Sequence, residues 1–154
     1  MTEVVDATGI IYIDGTNGTN SKRGWKIHTK TACKLIKVNI YIKDINECYL
    51  YLENGTTLLQ SSEIIGDNAI FDYDLADDTT YLILCGNNIS QYVGSKTSGA
   101  PSIPISGTNI NFIIPMLDNT TEYSALAFNI VSVTTTELGG GLSNNNSINT
   151  KYYY

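Results

Sequence analysis

Apolar and polar residues alternate with a period of two over most of this chain, the pattern of half-buried strands. In the stretch Cys48 to Leu59, Cys48, Leu50 and Leu52 fall on one side of an extended chain and Tyr49 and Tyr51 on the other. Asn54-Gly55 follows, a pair that accepts positive φ at both central positions of a tight turn, and then a second apolar run. The segment predicts a β-hairpin with Cys48, Leu50 and Leu52 facing the core.

The same reading extends in both directions. Trp25 and Ile27 share a core parity, with His28 on the opposite one as a surface or edge histidine. Between Cys33 and Ile42 the parity of Ile36, Val38, Ile40 and Ile42 is expected inside, with Cys33, Leu35, Lys37 and Asn39 opposite and a bulge or late start near Lys34. Ala69, Phe71, Tyr73 and Leu75 face in while Asp72 and Asp74 face out, after a turn at Gly66-Asp67-Asn68. Tyr81 to Cys85 is almost continuously apolar, as in a strand covered on both faces. Ile103 to Ile105, Asn109 to Ile114 and Ser124 to Val133 complete the strands, with Ile110, Phe112 and Ile114 inward and Asn109 and Asn111 outward. Asp14 to Asn20 reads as a loop, and Gly86 to Pro101 as a long polar connection of the kind a Greek-key or jelly-roll crossover needs. About eight to ten short strands with turn signals every 8–12 residues predict an all-β, antiparallel two-sheet β-sandwich, jelly-roll-like, over residues 1–136. Residues 137–154 change character, with Gly139-Gly140-Gly141, an Asn-rich run and Lys151-Tyr152-Tyr153-Tyr154. This flexible C-terminal tail is either a disordered terminus or an arm that docks on a neighbouring subunit.

Composition narrows the choice of partners. At 154 residues the chain has the size of one domain, and its 42% hydrophobic residues suffice for a core. A net charge of −6 repels phosphate backbones and anionic membrane surfaces, so neither nucleic acid nor a membrane is an expected partner. Met1-Thr2-Glu3 lacks the basic start of a signal peptide and no apolar run is long enough to span a bilayer, which points to synthesis in a cytoplasm.

Candidate chemistry is sparse. Nucleophilic triads need an imidazole, and His28 is the single histidine. Its strand position and the want of a second base argue for a non-enzyme. Cys33, Cys48 and Cys85 are widely spaced and odd in number, fitting buried thiols better than a disulfide framework or a Cys₃His zinc site. Asp72 to Asp78 is acidic but lacks the glycine and closing glutamate of a calcium loop, so no metal or other cofactor is expected. Asn17, Asn54, Asn88, Asn119 and Asn145 each head an Asn-x-Ser/Thr triplet, which chance explains in so Asn- and Thr-rich a chain. The 11 tyrosines leave two readings open. Tyr41, Tyr49, Tyr51 and Tyr92 are either cross-strand packing residues or a platform on which glycans stack. With Tyr152, Tyr153 and Tyr154 they form the candidate interface or glycan-contact set.

Gly24-Trp25-Lys26-Ile27, Cys33 to Val38, Tyr49 to Gly55, Ala69-Ile70-Phe71, Thr79-Thr80-Tyr81 and Ile103 to Ile110 together resemble the jelly-roll-like β-sandwich domain of phage and archaeal virus structural proteins. The resemblance spans Gly24 to Val133 and rests on strand and turn signatures. It implies a non-enzymatic virion protein, a capsid decoration or a minor capsid or tail component, assembling as a homo-oligomer with itself and other virion proteins. The alternative is a carbohydrate-binding attachment module directed at host-surface glycans.

Overall fold

A computed structural model describes residues 2–7, 15–19, 21–40, 45–86, 91–96, 102–124, 127–128 and 130–138. They form strands β1 (Glu3–Ala7), β2 (Gly15–Thr19), β3 (Arg23–Thr29), β4 (Cys33–Ile40), β5 (Glu47–Leu52), β6 (Leu58–Ile65) and β7 (Asn68–Leu75). Strands β8 (Thr80–Cys85), β9 (Gln91–Lys96), β10 (Ile105–Ser106), β11 (Ile110–Met116), β12 (Ala127–Phe128) and β13 (Ile130–Glu137) complete them. The protein is all-β and antiparallel. Ten strands run in the order β1-β13-β4-β7-β6-β5-β8-β3-β11-β10, and β12-β9-β2 make a second, small sheet.

The large sheet curls into a half-barrel because β6 serves both of its halves. Residues Leu58 to Glu63 of β6 pair with β5, whereas Ile64 and Ile65 pair with β7. Cross-strand partners then line up as rows of side chains on the inner face. Leu50, Ile83 and Trp25 form one row, and Leu52, Tyr81, Ile27, Phe112 and Ile105 a second. On the other half, Val133, Val38, Ala69 and Ile64 form a third. All three rows meet in one core, where Trp25 and Phe112 pack edge to face with ring centroids 6.0 Å apart.

Several expected facings hold. Cys48, Leu50, Ala69, Phe71 and Leu75 are buried, Asp72 and Asp74 are exposed, and Tyr81 to Cys85 is buried along its whole length. Others change because the ladder is not regular. On β4 the register shifts between Leu35 and Lys37, so Cys33 and Leu35 share the core with Val38 and Ile40, while Ile36 is only partly buried. This bulge lies later than the one expected near Lys34. On β11 a shift between Phe112 and Ile114 turns Ile114 to the outer face, away from Ile110 and Phe112. Asn109, expected outward, is buried, with its amide donating to Thr135 Oγ1 at 3.0 Å.

The expected loop at Asp14 to Asn20 contains β2, and the expected connection from Gly86 to Pro101 contains β9, with which β2 pairs. Both strands are largely polar, so neither shows the apolar alternation by which strands are recognised. The expected two-residue turn at Asn54-Gly55 is wider. Gly55 alone has positive φ, at 74°, and the Asn54 side chain accepts the N–H groups of Thr56 and Thr57 at 2.9 and 3.0 Å. Strand β13 runs through Glu137, and residues 139–154 of the expected tail lie outside the described residues.

Candidate functional site

The two central tyrosines of the sequence reading sit on the outer face of β5, where the cross-strand rows are again apolar. Tyr49 lines up with Leu84, Gly24 and Met116, and Tyr51 with Leu82, Lys26 and Ile114. Gly24 is fixed by close approach, since a Cβ there would stand 2.0 Å from the Ile83 carbonyl oxygen. Residues 117–124 fold back beside this face. Leu117 N–H donates to Thr121 O, Tyr123 N–H to Pro115 O, and the Asn119 amide reaches Gly55 O at 3.0 Å on the far side, in the β5–β6 turn. On the same face the Lys26 ammonium holds Glu122 at 2.5 Å and Glu53 at 4.0 Å. The result is a second, smaller apolar cluster of Tyr51, Leu82, Leu84 and Met116.

Tyr51 is therefore a buried packing residue, only 8% exposed. Tyr49 is half-buried, its ring 6.1 Å from that of Tyr51 and tilted 35° to it. The Lys22 ammonium lies 4.8 Å from the Tyr49 ring centroid, and the phenol donates to Glu47 Oε1 at 3.2 Å. Burial first, and the Glu47 carboxylate second, push the Tyr49 phenol up to about 12. A ring whose face already meets an ammonium group is poorly placed as a sugar platform. Tyr92 lies on β9 with its side chain outside the described residues, and Tyr41, Tyr152, Tyr153 and Tyr154 lie outside them altogether. Among the described side chains of that set, the structure brings Tyr49 and Tyr51 together.

His28 is more engaged than an edge histidine. Its Nδ1 lies 2.7 Å from Thr80 Oγ1 and its Nε2 2.8 Å from Asp78 Oδ1. Hydroxyl, imidazole and carboxylate are the parts of an activated nucleophile. Here Asp78 is 87% exposed, so solvent screens the pair. The surrounding bonds tie down a corner: Thr29 Oγ1 donates to Ala76 O at 2.6 Å and Thr79 N–H donates to Thr29 Oγ1 at 2.9 Å. Asp72 and Asp74 both pair with the Lys34 ammonium, at 2.7 and 3.0 Å. Among the described residues no group of three or more His, Cys, Asp or Glu side chains is placed to hold a metal ion.

The outer face of the opposite half presents a different surface. Val5 pairs with Thr134, Thr134 with Lys37, and Lys37 with Ile70, so these four residues form a row across β1, β13, β4 and β7. Ile65 pairs with Asn68 and so shares the face of Ile70 as its diagonal neighbour. Val5, Ile65 and Ile70 are 64%, 74% and 61% exposed. No motif in the sequence marks these three residues as a group. The outward parity of Asp72 and Asp74 already places Ile70 on that face, and Ile65 joins it across the tight Gly66-Asp67 turn, whereas Val5 joins it only through long-range pairing.

Comparison with known proteins adds no relative: no family model, no curated protein and no solved structure matches this chain.

Proposed function

We propose that the chain is a non-enzymatic structural protein of a virion, a jelly-roll-like β-sandwich that decorates a capsid or forms a minor capsid or tail part by assembling with copies of itself. The observation that carries the reading is the outer row of Val5, Lys37 and Ile70 with Ile65 beside it. Ile65 and Ile70 are adjacent and more than half exposed, and Val5, set apart from them on the same face by Lys37 and the buried Thr134, is exposed to a similar degree; these aliphatic side chains gain by being covered. Lys37 within the row gives the partner surface a position for a carboxylate.

The pairing pattern supports the fold half of the reading. Pairs β2·β9, β3·β8, β4·β7 and β5·β6 nest one inside the next, as in a chain wound up as a double ribbon. A jelly roll built from those pairs would set β9 beside β4, and in this chain β13 occupies that place. Support for a place in a virion comes from the strand and turn signatures between Gly24 and Val133.

Light scattering on the full chain across a concentration range tests the assembly. The expected result is a defined oligomer that dissociates when Val5, Ile65 and Ile70 are all changed to Ser, with little change in melting temperature. A wild-type chain that stays monomeric at high micromolar concentration would overturn it.

A further inference from the structure

Cys48 and Cys85 face each other across the β5·β8 ladder. Gly86 N–H donates to Glu47 O at 3.0 Å, and Glu47 and Gly86 are the next pair along the same register. In an antiparallel ladder hydrogen-bonded and non-hydrogen-bonded pairs alternate, so Cys48 and Cys85 occupy a non-hydrogen-bonded pair. There Cα atoms stand about 4.5 Å apart and side chains come closest. That spacing lies inside the roughly 4.4–6.8 Å that a disulfide tolerates. The two sulfurs are already 3.7 Å apart, both wholly buried on the inner face. Closing to about 2.05 Å asks for side-chain rotation and no movement of the strands.

We propose that Cys48 and Cys85 are a reversible cross-strand disulfide site, closed by a peroxide-class oxidant. One thiol attacks a peroxide oxygen and becomes a sulfenic acid, releasing water. The second thiol then attacks that sulfur, forming the S–S bond and releasing a second water. Two electrons pass from the thiol pair to the peroxide. The site is independent of any assembly role. All three cysteines are buried and free, as expected, but their wide spacing in sequence does not show that Cys48 and Cys85 face each other in space.

Burial sets when this chemistry runs. Removal from water pushes the Cys48 thiol up, which holds it protonated and a poor nucleophile while the ladder is shut. Oxidation therefore proceeds when the β5·β8 ladder opens or while the chain folds, and the bond is sealed in the core afterwards. Cys33 supplies an internal control. It lies on β4 opposite Leu75 and Glu137, and burial, partly offset by a hydrogen bond with Thr135, pushes its thiol up to about 11.

The test refolds the full wild-type chain from denaturant with a small excess of hydrogen peroxide, then counts thiols and maps peptides under denaturing conditions. The expected result is loss of two of the three thiols and of the mass of two hydrogens, with Cys33 still free. A Cys48–Cys85 peptide and recovery of both thiols on reduction are also expected. The bond closes a loop of 37 residues' separation, so the melting temperature should rise by on the order of 5–10 °C. Cys33→Ser should still form the bond, which keeps the test independent of variants at the pair itself. Three free thiols after refolding, sulfinic or sulfonic acid at Cys48 or Cys85, or a dimer joined through Cys33 would each overturn the proposal.

Discussion

Asp6 and Asn109 stand 103 residues apart in the chain and are joined by a hydrogen bond, the Asn109 N–H donating to Asp6 Oδ2 at 3.1 Å. The other carboxylate oxygen accepts the Thr108 N–H at 2.5 Å, and Ile110 N–H approaches Oδ2 at 3.4 Å. Asp6 lies on β1, at one edge of the ten-stranded sheet, and residues 108–110 lead into β11, beside the other edge. One buried carboxylate therefore ties the two margins of the half-barrel together, filling a concavity of successive N–H groups. Asn109 extends the link to β13 through Thr135.

Removing that carboxylate should loosen the closure. Asp6→Ala leaves N–H groups near the sheet margin without their acceptor, at a cost of about 2–4 kcal/mol. Asp6→Asn keeps one acceptor oxygen and should lose about half as much. Gly107→Ala should act on the same joint from the other side, because a Cβ there would stand 2.1 Å from Ile110 O and 2.9 Å from the Asp6 carboxyl. Urea unfolding gives the free energies, and hydrogen exchange should show β1 losing protection first. A change below about 0.5 kcal/mol for Asp6→Ala would mean that water replaces the carboxylate without penalty.

How far such features are legible from sequence depends on whether they are local. Cys48, Leu50, Ala69, Phe71 and Leu75 follow an unbroken alternation, and their facing is readable. The β4 and β11 bulges each reverse the facing downstream, and no residue type at Ile36 or Ile113 announces them. Strands β2 and β9 carry too few apolar residues to show a period. Asn109 looks like a surface residue until Thr135 supplies the partner that allows its burial. At the candidate sites the same limit holds. Tyr49 and Tyr51 were visible as a pair, but Lys22 over one ring and the fold-back after Met116 are long-range facts.

Tyr49 should make stability fall in strong alkali. Its folded-state phenol is raised to about 12 by burial and by Glu47, above the ordinary value of 10.0. A raised value means the folded chain holds the proton where the unfolded chain has released it. The contribution is complete below pH 10 and is lost as pH climbs from about 10 towards 12. Tyr49→Phe should flatten that part of the profile. Ultraviolet titration of the folded protein should show a late-ionising tyrosine absent from the variant.

At the acid end the corresponding group is Asp118. Desolvation raises its carboxyl, and the N–H and hydroxyl groups of Thr120 and Thr121 outweigh that and leave it below the ordinary 3.8. The four bonds run from 2.7 to 3.3 Å. A lowered value means stability that is present above the ordinary carboxylate range and lost as pH falls through the folded-state value. Asp118→Asn should remove this acid-side slope, and carbon-13 titration of the carboxyl should place its midpoint below that of a free aspartate. A midpoint at or above 3.8 would show that desolvation wins.

Two glycines with the same backbone sign should respond differently to a methyl group. Gly55 has φ 74° and Gly66 has φ 63°, so alanine at either position enters a region that L side chains avoid, at about 1 kcal/mol. Around Gly66 the space is open, with nothing within 4 Å of an added Cβ, and Gly66→Ala should cost no more than that. At Gly55 the Cβ would stand 2.0 Å from the Asn119 carbonyl oxygen, backbone that cannot rotate aside. Gly55→Ala must therefore push the β5–β6 turn away from residues 117–121, break the bond from the Asn119 amide to Gly55 O, and uncover Tyr51. Its cost should exceed that of Gly66→Ala by roughly 1–3 kcal/mol, with increased quenching of tyrosine emission as Tyr51 meets solvent. Equal costs for the two variants would show that the turn is set by backbone conformation alone and that its docking on Asn119 contributes nothing.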